Sequence, residues 1–293
     1  MGVIGDGPAV VVVVGDAGLD VVARADVLPE PGGDVRARIT VEPGGAGANT
    51  AAWLAACGAR PTLVSRVGAD ASADELRAEL AAAGVRTAFA VDERAPTCRV
   101  VVLVDAAGQR SMLADRGAAG RLAPGDVEPA ALAGARHLHL SGYVLLDPSS
   151  RSGGLAALRF AHEAGMTTSV DPQAADLLTD PDGFLADVAG VDLLLPSAAE
   201  LAALTRGGEP QALLGTVGAV AVTAGASGAT WIDREGRVSV PAGTVEVVDS
   251  TGAGDAFDAG LLAARLAGAG RADSLRAGVA AAARAVVRIG ARP

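Results

Sequence analysis

The chain has 293 residues, half of them apolar and a fifth charged, with a formal net charge of −10; it can bury one large core, and its acidity excludes a nucleic-acid partner, which needs a basic face against phosphates. No lysine occurs, so all 24 Lys-or-Arg positions are arginine, which excludes the Walker-type phosphate loop, the protein-kinase strand lysine and Schiff-base chemistry. Two Trp, one Tyr and four Phe offer few stacking platforms, and Cys57 and Cys98, far apart and without metal-ligand spacing, read as packing residues rather than a disulfide or zinc site.

Residues 1–8 carry Asp6 and no basic residue ahead of the apolar run 9–14, unlike a signal peptide, so a cytoplasmic location is expected. Mean hydropathy is +0.36, yet no run approaches the ~20 uninterrupted apolar residues of a membrane helix, and no membrane association is expected. Buried strands are predicted at 10–14, 62–67, 100–104, 137–140, 168–170, 192–195 and 219–222. Helical spacing marks 51–56, 73–83, 155–164 and 198–204, and residues 253–266 and 271–287 read as two closing helices. This alternation predicts an α/β fold, a mostly parallel sheet covered on both faces. Two stretches break it: 21–41, with Pro29, Pro31, Gly32 and Gly33 among short β-prone pieces, and 98–113, two strands joined by Ala106-Ala107-Gly108. Together they predict a small antiparallel sheet projecting from the main layer, a lid.

Residues 245–262 read V-E-V-V-D-S-T-G-A-G-D-A-F-D-A-G-L-L. A strand ends near Asp249, Ser250 and Thr251 turn, and Gly252-Ala253-Gly254-Asp255 opens an apolar helix. Glycines there leave backbone N–H groups uncovered at the positive end of the helix dipole, a place for an anion. A carboxylate beside such a hole repels phosphate, but it suits a base that takes the proton of an attacking hydroxyl. A turn with a favourable helix-start charge accounts for a bare G-x-G-D equally well.

Further segments carry weaker signals. Gly44-Gly45-Ala46-Gly47-Ala48-Asn49 is a glycine-rich turn feeding an alanine-rich helix, a pattern common for steric reasons alone. Asp16 and Asp20 follow the first strand, where ligands gather in parallel sheets, and their oxygens suit polyol hydroxyls; solvated loop acids are the other reading. Ser197 and Glu200 have capping-box spacing. His137 and His139 share one strand face without a third ligand, so a buried pair is commoner than a metal site; Arg110 and Arg116 flank the predicted lid hairpin, where they could touch substrate or phosphate, though exposed arginines are the commoner case.

In order, these segments resemble the PfkB/ribokinase family of carbohydrate and nucleoside kinases. Residues 249–255 are similar to its D-T-x-G-A-G-D signature with Ser250 for the first Thr, and 44–51 to its G-G-x-x-x-N-x-A signature. The resemblance implies a ribokinase-like three-layer α/β/α fold across 1–293, one kinase domain with lid segments at about 19–41 and 97–113. It implies ATP-dependent phosphorylation of a hydroxyl of a sugar or sugar-like substrate, with Mg2+. Asp255 is then the base, and Gly252, Ala253 and Gly254 form the anion hole. Asp16, Asp20, Gly44, Gly45 and Asn49 meet the substrate. Ser197, Glu200, Thr223, Gly225 and Gly228 lie on the nucleotide side, with Glu200 organising magnesium-bound water. Asp249 and Thr251 are implied to hold a monovalent cation such as potassium, and a homodimer through the lid is implied. Ala46 stands where ribokinases usually have Lys, and Ser197 where the family has Asn. The rivals are a nucleoside kinase, disfavoured by the few aromatics, and a non-catalytic sugar or nucleotide sensor, favoured by Ser197. No G-x-G-x-x-G follows the first strand, which counts against a Rossmann dehydrogenase.

Overall fold

A computed structural model describes residues 7–127 and 132–293, so residues 1–6 of the N-terminal segment lie outside it. The main sheet has nine strands: β1 (Val10–Val14), β4 (Arg60–Gly68), β5 (Arg86–Asp92), β8 (His137–Ser141), β9 (Thr167–Asp171), β10 (Leu193–Leu194), β11 (Ala219–Thr223), β12 (Ala229–Asp233) and β13 (Gly236–Val240). Their order is β13-β12-β11-β10-β9-β8-β1-β4-β5. Pairing is parallel from β5 to β11, and β12 and β13 add an antiparallel edge. β1 is five valines, and both faces of it are buried: Val11 and Val13 pack in one apolar cluster, Val12 and Val14 in the other. Uninterrupted β-branched residues are what a strand covered on two sides requires, and each buried Val contributes roughly 1.5–3 kcal/mol.

One face is covered by α1 (Ala46–Ala56), α2 (Ala71–Ala82), α7 (Ala253–Leu266) and α8 (Arg271–Val286). The other carries α3 (Tyr143–Leu146), α4 (Pro148–Glu163), α5 (Pro181–Asp187) and α6 (Ala198–Thr205). Local chemistry sets several starts. Asp147 caps α4 by accepting from the Ser149 N–H, with Pro148 at the first helical position. The strand at β5 and the β12–β13 hairpin add to the predicted elements.

A second sheet has the order β3-β2-β6-β7, from β2 (Gly18–Arg24), β3 (Arg38–Gly44), β6 (Cys98–Val104) and β7 (Arg110–Asp115). It is antiparallel except for its central β2–β6 pair, which is parallel. The reason is topological: β2 leaves the main sheet after β1 and β6 after β5, so both depart from the carboxyl ends of parallel strands. One face turns Asp20, Arg24, Glu42 and Arg110 toward the main body, lining a cavity with residues 247–251. The other exposes Ile39, Val41, Val101 and Leu113, at 63%, 62%, 37% and 61%.

Candidate active site

The turns after β1, β9 and β11 open at one end of the main sheet, where α1 and α7 also begin. At the β3–α1 turn, Gly45 has φ +90, and a Cβ there would stand 2.5 Å from the Asp16 carbonyl oxygen. Glycine therefore lets α1 dock on the loop after β1, with the Ala48 N–H donating to the Asp16 carbonyl at 3.1 Å. Gly44 lies against Asp20. At the start of α7, Gly252 has φ +72, and its missing Cβ makes room for the Ala291 carbonyl, which Trp53 Nε1 holds at 2.9 Å. Residues 252–255 thus form an open first turn packed against the C-terminal segment.

Asp255, 8% exposed, is the carboxylate of that turn. Its Oδ2 accepts from Asn49 Nδ2 at 3.1 Å and its Oδ1 from Thr50 Oγ1 at 3.3 Å, both from α1. Burial pushes the Asp255 carboxyl up to about 6, against hydrogen bonds from Asn49, Thr50 and Gln173. Asn49 is held in turn: Arg292 Nε donates to its Oδ1 at 3.2 Å, while Arg292 Nη2 donates to the Gly44 carbonyl and Nη1 meets Glu79. This fixes the amide so that its NH2 faces Asp255. Burial also pushes Asp20 up to about 6, with Arg292 opposing and Glu42 adding, and no hydrogen bond or ion pair to another described residue engages its carboxylate.

Asp16 is placed differently from a free polyol ligand. Arg116 grips it bidentately, Nε to Oδ2 at 2.9 Å and Nη2 to Oδ1 at 2.7 Å, and extends to Asp147 at 2.8 Å and Ser150 at 2.9 Å. The expectation that Arg110 and Arg116 are exposed is corrected: the Arg116 side chain is 15% exposed and Arg110 26%. Each is drawn inward by carboxylates distant in the chain.

Behind the open turn, a cavity of about 200 Å³ is lined by Asp171, Gln173, Ser197, Glu200, Thr223, residues 252–255 and Asp258. Ser197 and Glu200 form the reciprocal capping box, Glu200 Oε2 accepting from the Ser197 N–H at 2.7 Å, and both residues line the cavity. Gly225 and Gly228 are not among the lining residues; they shape the β11–β12 turn, where the Ala224 N–H donates to the Gly228 carbonyl. Asp171 and Asp258 are shifted far upward, by burial and then by neighbouring acids, Glu200 for Asp171 and Asp171 for Asp258. A divalent cation beside them would relieve that repulsion, and the all-oxygen donor set fits Mg2+. No group of three His, Cys, Asp or Glu among the described residues is placed to hold a metal alone.

Sequence reasoning missed Thr50, Tyr143, Asp171, Gln173, Asp258 and Arg292. Two were accessible: Asp258 lies one helical turn beyond Asp255, and Asp171 ends a parallel strand. Tyr143 is half-buried beside the acids, its phenol pushed up to about 12 by burial and then by Asp255, Asp171, Asp16 and Glu200. His137 and His139 are buried and hydrogen-bonded to Thr167 and Ser169, and burial lowers them to about 3 and 4.

A mostly parallel α/β sheet with a glycine-rich helix start, a buried carboxylate in its first turn and a small second sheet is the architecture of the ribokinase-like fold. The chain belongs to the pfkB family of carbohydrate kinases, whose model matches residues 9–293. It is 33% identical over 255 residues to an ATP-dependent ribose-1-phosphate kinase of Halopiger xanaduensis, spanning 85% of this chain and 82% of that protein. The adenosine kinase of Sinorhizobium meliloti superposes with a TM-score of 0.89 at 26% identity, covering 98% and 96% of the two chains. A ribokinase II candidate from E. coli, in complex with ATP and Mg2+, gives 0.85 at 26% identity, covering 97% and 94%.

Proposed function

We propose that the protein transfers the γ-phosphoryl group of ATP to a hydroxyl of a sugar or sugar-like substrate in the cytoplasm, with Asp255 as the base. The observation that carries this reading is Asp255 itself: buried, clamped by Asn49 and Thr50, and set at an open helix start. The N–H groups of residues 252–255 receive the transferring phosphoryl group, and Asp255 accepts the proton of the attacking alcohol. Asp20, whose carboxylate has no hydrogen bond or ion pair to another described residue, takes vicinal hydroxyls, and Asn49 and Gly45 lie close by on α1 and its preceding turn. Thr223, Ser197 and Glu200 lie on the nucleotide side, and Glu200 with Asp171 would hold Mg2+ through water. That ion supplies charge neutralisation for the β- and γ-phosphates when bound. Closure of the small sheet excludes water and suppresses ATP hydrolysis. The testing experiment measures ADP release with Mg-ATP against ribose, fructose, ribose 1-phosphate, fructose 1-phosphate, 2-keto-3-deoxygluconate, adenosine and pseudouridine. Turnover on a sugar is expected; preference for adenosine or pseudouridine would favour the nucleoside-kinase reading, and ATP binding without any turnover the sensor.

A homodimer through the lid completes the reading. The exposed Ile39, Val41, Val101 and Leu113 share one face of the small sheet by register, an apolar surface that a second copy, bearing the same patch about a two-fold axis, would cover. Leu113→Asp is expected to convert a dimer to a monomer in light scattering; a wild-type chain that is monomeric at all concentrations would remove this interface.

A further inference from the structure

The monovalent cation implied at Asp249 and Thr251 does not fit the groups present. Asp249 Oδ1 accepts from the Thr251 N–H at 2.9 Å and Thr251 Oγ1 at 2.6 Å, and Oδ2 from the Gly290 N–H at 3.3 Å. Two guanidinium groups then close on it: Arg110 Nη1 at 3.4 Å and Arg24 Nη2 at 3.7 Å. Arg110 also binds the loop directly, donating to Ser250 Oγ at 2.8 Å and to Thr251 Oγ1. Three nearby carbonyls already accept hydrogen bonds. That of Val286 accepts from the Val248 and Asp249 N–H groups, that of Ala291 from Trp53, and that of Ser250 from the Ala253 N–H. Arg24 also lies 4.0 Å from Glu42, so the two arginines are shared among the carboxylates of this cavity, which Asp20 and Asp105 line as well. A further cation beside Asp249 would have to displace the Arg110 and Arg24 guanidinium groups, which already occupy that side of its carboxylate and bind the loop hydroxyls. Burial works to raise the Asp249 carboxyl, yet the bonds from Thr251 and Gly290 and the Arg110 charge hold it below the usual carboxylate range.

We propose that Arg110, assisted by Arg24, takes the place of a monovalent cation beside Asp249, so that turnover needs no potassium and the small sheet itself supplies the charge that orders the anion-hole loop. Arg24 lies on β2 and Arg110 on β7, whereas Ser250 and Thr251 lead directly into residues 252–255. A potassium ion serves such a loop as a point charge; a guanidinium does so with directed hydrogen bonds, and its donors are matched here by Ser250, Thr251 and Asp249. Arg110 is thus a positioning residue that acts through the loop, and the proposal rests on reading residues 252–255 as the phosphate site.

The test compares initial rates in KCl, NaCl and tetramethylammonium chloride at constant ionic strength, for the wild type, Arg110→Ala and Arg110→Lys. Wild-type rates are expected to agree within about twofold across the three salts. Arg110→Ala in tetramethylammonium is expected to fall by roughly tenfold or more, the scale of losing charge-assisted hydrogen bonds, and to recover with KCl or with low concentrations of guanidinium chloride. Arg110→Lys should retain an intermediate rate. Activation of the wild type several-fold by potassium overturns the proposal without any variant. So does an Arg110→Ala protein that is folded by circular dichroism but is unimpaired, or is rescued by neither cation. Failure of the base assignment reads out separately, as turnover surviving in Asp255→Asn.

Discussion

Replacing Asp255 by asparagine is expected to lower kcat by on the order of 10²-fold or more while ATP binding stays within a few-fold. The substitution keeps the shape and the bond from Asn49, with the Thr50 hydroxyl turning to accept from the new amide, but removes the proton acceptor, so the loss falls on the chemical step. Its stability is expected to hold or rise. The upward shift of the Asp255 carboxyl reports that burial penalises its charged form, and a neutral amide escapes that penalty. An unchanged or higher melting temperature beside a collapsed kcat would separate catalysis from unfolding; near-wild-type turnover would remove Asp255 from the role. The pH profile has a definite sign. A base works when deprotonated, so kcat/KM should rise with pH through about 6 and level off above it, with about a tenth of the plateau at one pH unit below. Asp20 titrates in the same range, and Asp20→Asn should remove its share of the acidic limb and raise KM for the sugar, leaving the Asp255 limb in place.

Arg116→Met is expected to destabilise the protein by about 3–5 kcal/mol, the scale for stripping one partner from a buried ion pair. Asp16 is 6% exposed, and without the guanidinium its charge faces the interior unpaired. Asp147 and Ser150 lose the same partner, which loosens the start of α4. The companion experiment is the double variant Asp16→Asn, Arg116→Met, which removes the orphaned charge and should recover much of the loss. Urea denaturation of the four proteins in the cycle gives the coupling; additive effects, or a single variant as stable as wild type, would show that the pair is solvated and contributes little.

Asp16 also marks where local reading ends. A carboxylate two residues past a buried strand was recognisable as a ligand candidate, but its arginine lies 100 residues away on the approach from β7, and nothing in either neighbourhood names the other. Asp249 presents the same case: its bond to Thr251 is local, whereas Arg24 and Arg110 reach it only because β2 and β7 share one sheet. Glu200 shows the converse. Its capping bond to Ser197 spans three residues and is legible in the spacing, whereas the cavity beside it is assembled from Asp171, Thr223 and residues 252–255, far away in the chain.

The sequence by itself determined the strand and helix periods, the five-valine strand buried on two faces, the glycine-rich turns, the absence of lysine and the open helix start carrying Asp255. Each rests on contacts within a few residues or on composition, where backbone sterics and hydrophobic periodicity decide the outcome. Only the tertiary structure decided which charges pair, that Arg292 orients Asn49 toward Asp255, that Asp171 and Asp258 crowd one cavity, and that arginines reach Asp249. Those outcomes depend on burial and on distances between segments far apart in the chain. The physical reason is that a charge's partner and its pKa are set by the dielectric and geometry of the assembled fold, which no local stretch of chain contains.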